Sequence, residues 1–251
     1  HYTAEPMAVG TAVTGTIDWQ RRFDLMQQHS GEHMVSGVVH RIYGYDNVGF
    51  HMGADMITID FSGSLTEEQL QAVEREVNQR IWLDSEVRCW YPGAEELKDL
   101  PYRSKKELSG AVRIVEFPGA DICACCGTHV KRTGEIGLVK LLSVQKFHSG
   151  VRVEMLSGGR AYAYINEVLA QNKQISQQLS AKVKETAKAV KGLAAELEAQ
   201  KQRLFAMENA QFAAKAAELR DRGDVLVRLE GLSADGVRRA AIAIQETCGG
   251  R

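Results

Sequence analysis

Apolar residues recur at helical spacing in Phe23, Met26, Met34 and Val38, behind Asp18, whose carboxylate suits a helix N-cap. The pattern predicts a helix over residues 21–41. Ahead of it, residues 11–17 alternate and predict a strand. Over residues 50–61 the period drops to two, with Met56, Thr58 and Asp60 alternating against Ile57, Ile59 and Phe61, so a hairpin is expected to turn near Gly53, Ala54 and Asp55. Thr66-Glu67-Glu68-Gln69 is a capping box, and Leu70, Val73, Val77 and Ile81 give the following helix one apolar stripe. Residues 112–117 predict a strand ending at Pro118-Gly119, and residues 136–147 are expected to pair with 151–156 across His148, Ser149 and Gly150. Helices mixed with antiparallel hairpins give an α+β domain built on an antiparallel sheet.

From residue 160 to 222 the chain turns to Ala, Glu, Lys, Gln and Leu, with no proline and one internal glycine, Gly192. Val183, Thr186, Val190, Leu193, Leu197, Leu204 and Met207 fall on an a/d pattern interrupted at Gln200. One long coiled-coil helix over residues 161–222 is expected, reaching on the order of 90 Å and pairing as an antiparallel or dimeric coiled coil. Gly223-Asp224 ends it, residues 225–229 predict a strand, and Ser233 or Asp235 can cap a last helix to about Glu246. Residues 223–251 therefore form a partial C-terminal α/β domain. The first residue is not Met, and the chain stops just past a helix C-cap signal, so both ends are expected to be truncated.

Composition narrows the function classes. The 251 residues are 44% hydrophobic and 25% charged, which excludes disorder across the whole chain. Lys+Arg 31 against Asp+Glu 32 leaves a net charge of -1, so a polyanion has to meet a local basic patch rather than a basic domain. Five cysteines, three of them Cys123, Cys125 and Cys126, suit a metal site or a reducing compartment better than a disulfide framework. There is no run of eighteen apolar residues and no basic, then apolar, leader, so a cytoplasmic location with no membrane partner is expected.

His29-Ser30-Gly31-Glu32-His33 puts two imidazoles on one face of the first predicted helix, near enough to share a metal. Alone the pair is a weak signal. Cys125 and His129 answer it with a Cys-x-x-x-His spacing in a glycine-containing turn. Three nitrogens and one sulfur with a tetrahedral demand point to Zn2+ held by His29, His33, Cys125 and His129. Cys123 and Cys126 leave the choice of thiolate open. His29-x-x-Glu32-His33 also fits the inverted zinc-protease motif, in which the glutamate activates water. That motif needs an open coordination position, which the Cys125 and His129 pair would fill.

At these motifs the sequence resembles the editing domain of alanyl-tRNA synthetase and, more closely, the free-standing alanyl-tRNA editing proteins of the AlaX type. Arg21-Arg22-Phe23-Asp24-Leu25-Met26-Gln27-Gln28, leading into His29-x-x-x-His33, is similar to the first family motif. Cys125-Cys126-Gly127-Thr128-His129-Val130 followed by Thr133-Gly134-Glu135-Ile136-Gly137 is similar to the second. Phe50-His51-Met52-Gly53 and Thr58-Ile59-Asp60-Phe61 resemble the hairpin between them, so the likeness covers about residues 10–164. The family has Pro before and Gly-Gly after the ligand cysteine, where this chain has Ala124 before Cys125 and Cys126-Gly127 after it.

The resemblance implies a fold like the second additional domain of threonyl- and alanyl-tRNA synthetases. It implies four segments: the end of an N-terminal barrel-like domain in residues 1–20, a zinc-binding editing domain in 21–160, the coiled-coil helix in 161–222 and the partial C-terminal domain. The implied activity is hydrolysis of serine or glycine from alanine tRNA charged with the wrong amino acid. A synthetic pocket shaped for alanine cannot strongly reject an analogue that adds only a hydroxyl, and a second, hydrolytic site can. Ser30 is the expected contact to the serine hydroxyl, and Glu32 or His51 the expected proton shuttle beside zinc. Arg103 with Lys105 and Lys106, and Lys131 with Arg132, are expected to meet acceptor-stem phosphates. A homodimer through the coiled-coil helix completes the expected partners. Two readings stand beside the editing enzyme: a non-catalytic tRNA-binding or assembly module with structural zinc, and the zinc protease.

Overall fold

The computed structural model describes residues 5–104 and 110–248, and the chain divides into two units at Val168 and Leu169. In the first unit, helix α1 (Trp19–Tyr43) begins at Asp18, whose side chain accepts from the Arg21 N–H, and ends at Gly44 in the left-handed region. The hairpin β1 (Asn47–Met52) and β2 (Ile57–Phe61) follows, then α2 (Glu67–Trp82) with its capping box from Thr66 to Gln69. Next come β3 (Arg88–Trp90), α3 (Ala94–Asp99), β4 (Ile114–Phe117) and β5 (Asp121–Ala124). A 3-10 turn at Thr133–Ile136 leads into β6 (Val139–Phe147) and β7 (Gly150–Ser157). A four-stranded sheet runs β1-β2-β7-β6 and a three-stranded one runs β3-β4-β5, all pairs antiparallel. The expected α+β architecture is therefore the observed one, with no closed barrel among the described residues.

Between Ser30 and Val39 every residue of α1 is buried. Two glycines let other elements close on it. A Cβ on Gly31 would lie 2.1 Å from Ser157 Oγ at the end of β7, and one on Gly37 would lie 2.3 Å from the Ala120 carbonyl oxygen at the start of β5. Met34, Val35, Val38 and Val39 then meet Ile57, Ile59, Phe61, Val115, Phe117 and Met155 in one core. The α2 stripe of Leu70, Val73, Val77 and Ile81 joins that core, as its spacing predicts. Polar side chains of α2 also cover the outer edge of β6. Asn78 exchanges two hydrogen bonds with the Val139 backbone, and Glu74 accepts from the Leu141 N–H, so an edge that could template aggregation is satisfied. Across β2 and β7, Asp60 opposite Arg152 accepts two hydrogen bonds from its guanidinium at 2.7 and 2.8 Å.

Three sequence expectations are corrected. Residues 11–17 are exposed and form no strand, because no described strand offers them a ladder. The single helix over residues 161–222 is two helices, α4 (Gly158–Gln178) and α5 (Thr186–Glu218). Ser180 takes a left-handed φ of 48°, and the Ala181 and Ser180 N–H groups return to the Ser176 and Gln177 carbonyls, which is a Schellman stop made without glycine. Residues 225–229, predicted as a strand, pair with no strand among the described residues.

In the second unit, Ala216 of α5 packs with Ile244 and Cys248 of α6 (Ala234–Cys248), with Leu219, Val225 and Val227 against the same cluster. Arg239 ties the two helices together through Glu208 and Asn209, its guanidinium lying 4.0 Å over the Phe205 ring. Ser233 caps α6 as expected, accepting from the Gly236 N–H. The a/d residues Leu193, Leu197 and Leu204 remain more than half exposed. No helix among the described residues is long and apolar enough to cross a membrane.

The closeness at Gly37 makes a direct test of the enclosed helix. Gly37→Ala is expected to cost about 1–3 kcal/mol in urea unfolding of the first unit. Gly192→Ala, in an open stretch of α5, is expected to be neutral or to stabilise by up to about 1 kcal/mol.

Candidate metal centre

One turn of α1 separates His29 from His33, so both rings project toward the loop that leaves β5. That loop is shaped by the chain itself. The Arg113 guanidinium donates to the Cys125 and Gly127 carbonyls at 2.8 and 3.0 Å, and the Cys125 N–H donates back to the Arg113 carbonyl. The Gly127 N–H points at Cys125 Sγ. Gly127 has to be glycine, since a Cβ there would sit 2.3 Å from the His29 ring. The Val130 N–H, one residue past His129, donates to Ser30 Oγ at 3.1 Å and pins the far end of the loop to α1.

The result brings together His29, His33, Cys125 and His129, with one donor atom from each and all four within 4.8 Å of one another. The three imidazole centroids are 4.6 to 5.0 Å apart. Cys125 Sγ is 3.6 Å from His29 Nε2, close to the ~3.5 Å nitrogen–sulfur edge of a tetrahedral metal site. Among the described residues, His33 Nε2 and both ring nitrogens of His129 are buried with no hydrogen-bond partner. Orphaned buried nitrogens cost about 1–3 kcal/mol each, and one metal ion would satisfy His33 Nε2 together with one of the two His129 nitrogens. Partial burial pushes the Cys125 thiol up, but the His129, His29 and His33 rings beside it outweigh burial and bring it down to about 3. Such a thiolate is ready to ligate. Burial pushes His129 down, keeping its ring in the neutral form that ligands require. Burial also pushes His33 down, but the Asp121 hydrogen bond and the thiols of Cys123 and Cys125 more than reverse it, so this pocket calls for positive charge.

Behind His33 stands an arrangement that the sequence patterns did not reveal. His33 Nδ1 donates to Asp121 Oδ2 at 2.9 Å. Arg103 grips the same carboxylate from the other side, Nε to Oδ1 at 2.7 Å and Nη2 to Oδ2 at 2.8 Å. Burial pushes Asp121 up, and His33 and Arg103 overturn that and hold it below the usual carboxylate range. Asp121 is only 1% exposed and Arg103 15%. The one sequence signal for Asp121 was a carboxylate placed inside an otherwise apolar and cysteine-bearing strand. Phe117 stacks on His33 and Phe50 on His29, closing the remaining ring faces.

The other expected residues fall in different places. Of the three cysteines, Cys125 joins the histidines. Cys126 is exposed, and Cys123 lies in a second group with His33 and Asp121 whose carboxylate is already taken by Arg103. Ser30, expected at the serine hydroxyl, is wholly buried and used in the bond from Val130. Glu32, expected to shuttle a proton, is buried and accepts from Ser36 Oγ and Asn47 Nδ2. His51 is exposed on β1 and outside the donor group; the adjacent Phe50, on the opposite face of the strand, is the residue that reaches His29. Arg103, expected at a phosphate, is committed to Asp121, and its companions Lys105 and Lys106 lie outside the described residues. Lys131 and Arg132 are exposed next to His129, Arg132 being paired with Asp84. With Cys125 in the fourth place and Glu32 engaged, the protease reading lacks both its open position and its free carboxylate.

Comparison with known proteins agrees with the resemblance in the motifs. Residues 112–153 match the family model of the threonyl and alanyl tRNA synthetase second additional domain, a stretch that contains Cys125 and His129. The chain is 33% identical over 171 residues to the alanyl-tRNA editing protein Aarsd1-A of Xenopus laevis, covering 66% of this chain and 42% of that one. It is 32% identical over 199 residues to Aarsd1 of Mus musculus, covering 77% and 48%. With the alanyl-tRNA editing protein AlaX-L of Pyrococcus horikoshii it shares 32% over 168 residues, covering 64% and 40%. The matched stretch is thus less than half the length of each of these relatives. Over 64–77% of its length the chain is similar to alanyl-tRNA editing proteins.

The geometry separates the two neighbouring thiols. Cys125→Ser is expected to lose most of its bound metal, measured by elemental analysis of the purified protein, and Cys126→Ser to keep one equivalent.

Proposed function

We propose that this chain is a zinc-dependent hydrolase that removes serine or glycine from alanine tRNA, a quality-control deacylase of translation. The observation that carries the reading is the group of three imidazoles and one depressed thiol, assembled by the two motifs that resemble those of alanyl-tRNA editing proteins. Three nitrogen donors and one thiolate suit zinc above other divalent ions. With His29, His33, Cys125 and His129 all bound, zinc would supply positive charge beside the ester, and Lewis acidity toward water or the carbonyl only by taking a fifth ligand.

The chain's own residues do the rest. His33 and His129 are buried and His29 and Cys125 half exposed, so substrate approaches over the His29–Cys125 edge. Water adds to the ester carbonyl, the bond to the terminal ribose oxygen breaks, and free amino acid and tRNA leave. Lys131 and, on release from Asp84, Arg132 are the exposed basic groups assigned to phosphates of the acceptor strand. Discrimination against alanine needs a buried polar group that a methyl leaves unpaired. The exposed a/d residues of α5, with Leu193, Leu197 and Leu204 at 54%, 55% and 59%, support a homodimer through that helix. A cytoplasmic location belongs to the same reading, since charged tRNA is used there.

The test is release of labelled serine from seryl-tRNA bearing the alanine acceptor, with alanyl-tRNA as control. Rapid serine release, a spared alanyl ester and a fall of more than about 100-fold in Cys125→Ala, together with loss of zinc, are the expected results. A folded, zinc-loaded protein that releases nothing would instead make this a tRNA-binding module with structural zinc. Independently, Leu197→Glu combined with Leu204→Glu is expected to halve the mass seen by sedimentation, without loss of helix content by circular dichroism.

A further inference from the structure

The four-donor group does not explain why Asp121 and Arg103 are buried behind it. A carboxylate and a guanidinium withdrawn from water are costly unless each is fully paired. Here the pairing is complete: Asp121 Oδ1 accepts from Arg103 Nε, and Asp121 Oδ2 accepts from both Arg103 Nη2 and His33 Nδ1. The pair lies where the Arg103 segment runs beside β5, held already by backbone bonds from the Arg103 N–H to the Ile122 carbonyl and from the Ala124 N–H to the Arg103 carbonyl. The Asp60–Arg152 pair has the same two-bond geometry and lengths, but it lies across β2 and β7, where it ties strands together. Asp121–Arg103 ends instead on an imidazole whose other nitrogen is orphaned and aimed at the donor group.

From this geometry we infer that Asp121 and Arg103 are positioning residues for the metal. By accepting from Nδ1, Asp121 keeps the proton of neutral His33 on that nitrogen, so the lone pair is on Nε2, facing Cys125 and the other histidines. It also fixes the rotation of the ring. Arg103 has two effects. Its fork holds the carboxylate in the plane that meets His33, and it occupies the oxygens that would otherwise make Asp121 a ligand in its own right. The second donor group, His33, Asp121 and Cys123, is thereby withheld from competing for the ion. A lysine could supply the charge of Arg103 but not the two-pronged hold.

The inference rests on the reading that His29, His33, Cys125 and His129 hold zinc, and its test reads zinc affinity rather than deacylation. Zinc dissociation constants would be measured on the purified chain by competition with a chromogenic chelator, for the wild type, Asp121→Asn, Arg103→Lys and Asp60→Asn. The inference expects affinity to weaken about 10–100-fold in Asp121→Asn and by a smaller factor in Arg103→Lys. Asp60→Asn, which removes an equivalent ion pair elsewhere, is expected to stay within about threefold of wild type. In the zinc-loaded wild type, nitrogen-15 NMR of the His33 ring is expected to show the proton on Nδ1.

Wild-type affinity in both Asp121→Asn and Arg103→Lys, or an equal loss in Asp60→Asn, would overturn the inference, as would a proton on Nε2. Should Asp121→Asn fail to fold, Arg103→Lys and the NMR signature decide. A wild-type chain that binds no zinc at all would instead remove the reading on which the inference stands.

Discussion

Everything in the first unit depends on one constraint: the middle of α1 has no solvent-facing side. From Ser30 to Val39 the helix is enclosed, with Gly31 pressed against β7 and Gly37 against the turn into β5. A helix buried all round is expected to be apolar, yet this one carries Gln28, Ser30, Glu32, His33 and Ser36. Each polar group in such a place must find a partner, because an unpaired one costs about 1–3 kcal/mol. So each becomes a tie to another element. Gln28 exchanges two hydrogen bonds with the Ser157 backbone, Ser30 holds Val130, Glu32 gathers Ser36 and Asn47, and His33 meets Asp121. The four-donor group follows the same logic, with His33 Nε2 and the two His129 nitrogens left without a hydrogen-bond partner among the described residues.

Much of the site was legible in the sequence because its signals are local. Two histidines four apart on a helix share a face whatever surrounds them, and a Cys-x-x-x-His turn keeps its two donors together. The hairpin of β1 and β2 and the capping box of α2 were equally local, set by alternation and by one side-chain exchange. The residues misplaced by sequence reading were those whose role is decided by partners far along the chain. Ser30 looks like a pocket residue beside His29 until Val130, a hundred positions on, takes its hydroxyl. Arg103 looks like a phosphate contact until Asp121 appears behind it. Glu32 completes a protease motif in the sequence and a buried hydrogen-bond cluster in the fold.

The C-terminal helices show the same division. The a/d spacing of α5 and the Ser233 cap of α6 could be read directly. The break at Ser180 could not, since a serine in the left-handed region carries no glycine to announce it and is held by backbone bonds that any sequence can make. Residues 11–17 and 225–229 have strand-like alternation or composition, yet a strand exists only where a neighbour supplies the ladder.

The ligand loop carries one more consequence. Its two carbonyls at Cys125 and Gly127 are held by a single arginine, Arg113, and its far end by Ser30, so its curvature is fixed by protein groups alone. In small zinc modules the ion is what folds the chain, and removing it dissolves the structure. Here hydrogen bonds from Arg113 and to Ser30 curve the loop, so the polypeptide itself supplies much of what brings the four donors together. An ion held there would still add to stability, since only the folded chain presents the four donors together.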